Sequence, residues 1–197
     1  DTTALYVLPP VVRAFSQAMP RTRLTLVNRP TDAIAEQVLR GELDLGIVTL
    51  PTSRAELAEL DLFQERLVLV VPTNHSLAER KRVRLMALKD EPLLLLHSGT
   101  RTGRLLREFF GENGFEPQVV LDSGSFEVIK RYVVQGVGSA FLPEVVVTKQ
   151  DRGLAKVSVP GLPSVRIGAV WRRGAYQTKA ELAFLRFVEE HRPSSRG

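Results

Sequence analysis

The apolar residues of this chain follow two alternating periods. Leu5, Leu8, Val11, Val12 and Phe15 recur at three- and four-residue steps, the signature of one face of a helix. Pro9 and Pro10 fall inside that pattern without amide hydrogens, so a kink or restart is expected there, and Met19-Pro20 ends it. Arg23 to Asn28 alternates and reads as a strand. Thr31 to Leu50 then holds a helix start, a helix stop and a strand. Thr31 is an expected N-cap, and Ile34, Ala35, Val38 and Leu39 share a face. Glu36 and Arg40 pair across one turn, and Gly41 can take the left-handed conformation that closes the helix. Leu43 to Leu50 is a mostly apolar run suited to a strand buried on both faces.

Pro51 to Glu59 reads as a polar connection, and Leu67 to Val71 as a strand closed by Pro72. After the turn Thr73-Asn74-His75-Ser76 come a short helix over Arg84 to Lys89 and the strand Leu93 to Leu96. A polar loop, His97 to Thr102, leads to a helix carrying Leu105, Leu106, Phe109 and Phe110. The strand Gln118 to Asp122 precedes a helix capped at Ser125, with Val128, Ile129, Tyr132 and Val133 on one face and Gly136 at its end. Ser139 to Leu142 is the next strand, and Pro143 opens another helix. Strands over Leu154 to Val159 and Val165 to Arg172, a last helix over Gln177 to His191 and a disordered Pro-Ser-Ser-Arg-Gly tail complete the reading.

A shift of 95 residues superimposes Phe15 on Phe110, Leu24 on Val119, Leu26 on Leu121, Ile34 on Ile129, Val38 on Val133 and Gly41 on Gly136. The echo predicts an α/β protein of two Rossmann-like lobes of matching plan. Residues 1–71 and 165–197 form the first lobe, and residues 72–164 form the second as an insertion. Two crossing strands, near Pro72 and Val165, join them, with a ligand cleft between.

Composition changes this picture little. With 197 residues, 44% hydrophobic and 25% charged, the chain is an ordinary globular one. It has no apolar run long enough to span a membrane and no cysteine, which is compatible with a cytoplasmic location. The net charge of +5 raises the question of nucleic acid, but Arg80-Lys81-Arg82-Val83-Arg84 lacks interleaved aromatics and reads as a solvated surface.

Candidate chemistry lies at the carboxyl ends of the strands, where helix N-termini gather in parallel sheets. The residues placed there are Thr2, Thr3, Thr31, Thr49, Ser98, Thr100, Arg101, Thr102, Ser125 and Leu142. Each hydroxyl has an ordinary use as a cap, and only their convergence points to a ligand. Hydroxyls, helix N-termini and Arg101 favour a small anion. The three histidines lack metal-ligand spacing, and neither a nucleophile elbow nor a phosphate-binding glycine loop is present. Neither a cofactor, nor a metal, nor catalysis is expected.

Several stretches together resemble the effector-binding domain of LysR-type transcriptional regulators: Tyr6-Val7-Leu8-Pro9-Pro10 with Phe15, Gly41-Glu42-Leu43-Asp44-Leu45-Gly46-Ile47, Pro72-Thr73-Asn74-His75-Ser76-Leu77, and Val133-Val134-Gln135-Gly136-Val137-Gly138 with Phe141-Leu142-Pro143. Ser76 stands where the family motif has proline. The resemblance implies a fold like the type II periplasmic binding proteins, with an effector between the lobes. It also implies side-by-side homodimers, in which the first helix and the strand near Leu24 meet the partner's Ser125 helix, and tetramers when the protein is intact. Promoter DNA would be bound through an N-terminal helix-turn-helix absent from this chain. The family has a strand just before the position of Asp1, so the natural chain is expected to extend upstream. A solute-binding protein of a transport system is the alternative on the same fold, and an enzyme is a more distant one.

Overall fold

The structure, a computed structural model, describes residues 2–192. Its first helical segment restarts at the two prolines. One π-helical turn, Thr3–Val7, has the Leu8 amide donating to the Thr3 carbonyl, and α1 (Leu8–Ala18) then begins with Pro9 and Pro10 in its first turn. Proline is favoured in the first turn of a helix, where its fixed φ already suits the helix and its lack of an amide hydrogen matters least. α1 buries Val11 and Phe15. Phe15 meets Phe184 and Phe187 of α5 (Lys179–Glu190) edge-on, with ring centroids 5.5 and 6.4 Å apart. Such aromatic contacts add about 1 kcal/mol each beyond area burial. A capping box between Thr178 and Glu181 starts α5.

The chain divides into two compact units, Asp1–Glu65 with Arg166–Gly197, and Arg66–Val165. In the first, α2 (Thr31–Leu39) lays Ile34, Ala35 and Val38 against Val48, Leu50, Leu57 and Val170. β1 (Gly46–Thr49) runs antiparallel to β7 (Ser164–Arg172), and β7 adjoins β2 (Leu57–Pro72). Gly46 has no room for a side chain, since a Cβ would stand 2.7 Å from the Ile34 side chain.

In the second unit the strand order is β6-β2-β5-β3-β4, formed by β3 (Pro92–Leu96), β4 (Gln118–Ser123), β5 (Ser139–Pro143) and β6 (Leu154–Val157) with the later half of β2. β3 is parallel to both neighbours, and Leu93 to Leu96 are fully buried, as a central parallel strand requires. α3 (Arg101–Glu112) contributes Leu106 and Phe110, the latter 5.2 and 5.4 Å from the Phe115 and Phe141 rings. α4 (Phe126–Val134) contributes Ile129 and Val133. It also carries Lys130, only 4% exposed, whose Nζ reaches the Val146 carbonyl at 2.9 Å, Asp151 at 2.8 Å and Glu127 at 2.9 Å. Burial alone would raise the Asp151 pKa. The Lys130 ammonium and the Thr148 amide and hydroxyl more than offset that and hold it below its ordinary value.

Several expectations need correction. Arg23 to Asn28 forms no strand: it is irregular, with Leu26 55% and Val27 38% exposed. Side-chain alternation prepares a strand, but backbone pairing completes it, and among the described residues nothing pairs with this segment. The strand expected at Leu67–Val71 runs from Leu57 to Pro72, taking in the last three residues of the connection expected over Pro51–Glu59. The chain therefore changes unit inside that strand, at Glu65/Arg66, and returns at Val165/Arg166, whereas Pro72 only ends the strand. The strand drawn over Leu43–Leu50 is confined to Gly46–Thr49, and the helix at Pro143 is one 3-10 turn, Glu144–Val146. The tail lies outside the described residues.

Candidate functional site

In the 66–165 unit the predicted residues come from neighbouring strand ends. Leu96, the last residue of β3, is level with Ser123, the last of β4, and the His97 amide donates to the Ser123 carbonyl at 2.9 Å. The loop carrying Ser98, Thr100 and Thr102 thus leaves the sheet beside the loop carrying Ser125. β5 runs parallel to β3 and ends on the same side with Leu142 and Pro143.

Both loops feed helices through side-chain caps. Thr100 Oγ1 accepts the Gly103 amide at 3.0 Å and donates to the His97 carbonyl at 2.8 Å. Ser125 Oγ accepts the Val128 amide at 3.4 Å, so that cap is a long one. Ser98 is exposed, Arg101 opens α3 and is half-buried, and Thr102 is 9% exposed. Leu142 is different. Its side chain is fully buried and its register partner is Val68, so only its backbone can face a ligand.

The sequence reading missed what holds the first loop. Arg104 Nη1 donates to the Ser98 and Gly99 carbonyls at 3.4 and 3.2 Å. Arg107 Nη1 donates to the Leu96 and Gly103 carbonyls at 2.7 and 3.0 Å, while its Nη2 pairs with Asp122 at 2.9 Å. One guanidinium therefore ties the ends of β3 and β4 to the first turn of α3. The Gly99 amide donates to His97 Nδ1 at 2.9 Å, which places any proton of the neutral ring on Nε2. A Cβ on Gly103 would stand 2.2 Å from the His97 carbonyl oxygen, so the loop lies directly on the helix backbone. The available signal was two arginines three residues apart in the turn after a polar loop.

In the other unit, Thr31 and Thr49 are brought together in an unexpected role. The N-cap position of α2 is held by Pro30, and the Thr31 side chain makes no cap bond. Its Oγ1 instead accepts the Thr49 amide at 3.3 Å, tying the start of α2 to the end of β1. Thr2 is buried and Thr3 half-buried at the start of the π-helical turn, where Thr2 makes no cap bond. After β1, the Thr52 amide donates to Glu59 Oε1 at 2.8 Å, with the Thr52 hydroxyl on the same oxygen. Glu65, 5% exposed, was also overlooked. Burial raises its pKa to about 7, and its Oε1 has no hydrogen-bond partner among the described residues.

Among the described residues no group of His, Cys, Asp or Glu could hold a metal, and no helix is long and apolar enough to cross a membrane. The arrangement offers hydroxyls and helix N-termini.

Comparison with known proteins bears on this chemistry. A family model described as the LysR substrate binding domain matches residues 1–193. The HTH-type transcriptional regulator CysB of Burkholderia cenocepacia is 32% identical over 178 residues, covering 89% of this chain and 57% of that protein. The cofactor-binding domain of the Cbl transcriptional regulator is similar in structure, with a TM-score of 0.87 and 26% identity over 96% of this chain and 84% of that one. The C-terminal domain of a probable LysR family regulator from Rhodococcus sp. RHA1 gives 0.83 and 26% over 94% and 93%. The chain spans about three fifths of the length of the curated relatives it matches.

Proposed function

The chain belongs to the LysR substrate binding domain family, and on that footing we propose that it senses a small anionic effector for a transcriptional regulator. The observation that carries the reading is the gathering of Ser98, Thr100, Thr102 and Ser125 at the adjoining carboxyl ends of β3 and β4. Each loop there opens onto a helix N-terminus. Such a terminus presents amides without intrahelical partners and the positive end of the helix dipole, which suits a carboxylate or an oxyanion. Arg101 supplies a cation in the first turn of α3. Binding rather than turnover is proposed, because among the described residues no perturbed acid–base pair accompanies these groups.

Effector binding would alter how the whole protein engages promoter DNA in the cytoplasm, through a helix-turn-helix outside this chain. Homodimerisation belongs to the same reading. It is supported by exposed apolar residues on β4 and α4, Val119, Val120, Val128 and Tyr132, and by Leu26 and Val27 in the other unit.

A thermal-shift screen of this chain against sulfate, phosphate, amino acids and aromatic or hydroxylated carboxylates tests the proposal. A specific anion should raise the melting temperature, with stabilisation of about 2.7 kcal/mol at a hundredfold excess over Kd. Stabilisation by neutral or cationic compounds alone would overturn it.

A further inference from the structure

Residues 80–84 hold four cations in five positions, Arg80, Lys81, Arg82 and Arg84, all exposed. By sequence the run reads as a solvated surface, but its setting is unusual for loosely solvated charge. The segment is anchored from beneath. Val83 is 5% and Leu85 8% exposed, so both are buried. The backbone is fixed as well: the Val83 amide donates to the Ser158 carbonyl at 2.9 Å, the Ser158 amide donates to the Lys81 carbonyl at 3.3 Å, and Arg82 forms a bridge with Ser158. Arg84 is extended, with φ −77° and ψ 144°.

Strand-like alternation then sets Arg82 and Arg84 on the face opposite Val83 and Leu85, with a spacing of about 6.7 Å. None of the four cations forms an ion pair with an acid among the described residues, although Lys89 pairs with Asp90 and Lys156 with Glu144. The 66–165 unit as a whole carries fourteen Lys and Arg against ten Asp and Glu.

We propose that this anchored basic edge is a second, sequence-independent contact surface for the DNA backbone, separate from the effector-binding strand ends. The inference rests on the reading of the chain as part of a DNA-binding regulator. A line of exposed cations along an anchored backbone does not by itself enclose a small anion, which needs donors converging on one point. It does match a polyanion that carries one charge per strand for every 3.4 Å of helix axis, so an arginine pair spans roughly two charges. Phosphate contacts of this kind position a protein on the duplex without reading sequence.

The test uses the whole 197-residue chain and a random-sequence duplex, followed by fluorescence anisotropy over a salt series. Weak binding is expected at low salt. The logarithm of the association constant should fall with the logarithm of salt at a slope of about −0.9 per phosphate contacted, between about −2 and −4 here. Arg82→Gln with Arg84→Gln should reduce that slope by about 2, whereas Arg13→Gln with Arg21→Gln should leave it unchanged. Matched melting temperatures keep the comparison between folded proteins. Three results would overturn the proposal: no binding at low salt, an unchanged slope in the Arg82/Arg84 variant, or stronger binding of a poly-glutamate of equal charge, which would indicate an acidic protein partner. Effector binding in the thermal-shift screen does not depend on this surface, so either reading can fail without the other.

Discussion

In the 66–165 unit, α3, β4, α4 and β5 follow one another, and β3 hydrogen-bonds to both β4 and β5. The other unit repeats the series as α1, the segment 23–28, α2 and β1. There β1 has β7 on one edge and no partner on the other among the described residues. The helices agree closely: Phe15 and Phe110 are each 2% exposed, Val38 1% and Val133 0%, and Gly41 and Gly136 end their helices at φ +73° and +75°. The strands do not. β4, flanked by β3, is a strand, and 23–28 is not. A helix carries its backbone hydrogen bonds within itself, whereas a strand borrows them from a neighbour, so the same pattern yields a strand only where a neighbour is present.

Buried charge separates the units as well. Lys130 meets two carboxylates and a carbonyl, while Glu65 Oε1 meets no hydrogen-bond partner among the described residues. The largest effect that sharpens this contrast is expected from Glu65→Gln. With the folded pKa raised from 4.5 to about 7, the native state holds more protons than the unfolded chain between those values. The wild type therefore loses stability as pH rises from about 4.5 to about 7, by on the order of 3 kcal/mol. Chemical denaturation at pH 5 and pH 8 should show that loss in the wild type and a much flatter profile in the glutamine variant. Equal pH dependence in both would remove the contrast.

The matched glycines break or support the repeat itself. Gly41→Ala and Gly136→Ala should each cost about 1–2 kcal/mol, since both hold positive φ and neither side chain would clash. A cost at Gly136 alone would mean that α2 does not end as α4 does. The smallest effect concerns the caps. Ser125→Ala should cost about 1 kcal/mol through α4. Thr31→Ala should cost less, because Thr31 holds the Thr49 amide and not its own helix. Equilibrium unfolding of the two variants compares them directly.

Helix ends were legible because Gly41, Gly136, Thr100 and Ser125 act locally, within four residues of the groups they satisfy. The family signature was legible for the same reason, as short contiguous motifs. What was not legible depends on distant partners. The Thr31 hydroxyl finds an amide 18 positions away, and Arg107 finds carbonyls across a loop and Asp122 fifteen positions on. The part of β2 before Leu67 was not legible because Glu59, Asp61, Gln64 and Arg66 interrupt its apolar residues with exposed polar ones.

The proposed function requires the strand-end hydroxyl loops to hold an anion. Amide hydrogen exchange, with and without the most stabilising anion from the thermal-shift screen, tests it most directly. Exchange should slow chiefly at Ser98 to Gly103 and Ser125 to Val128. Slowing spread evenly over the chain, or confined to α5 and β6, would contradict it.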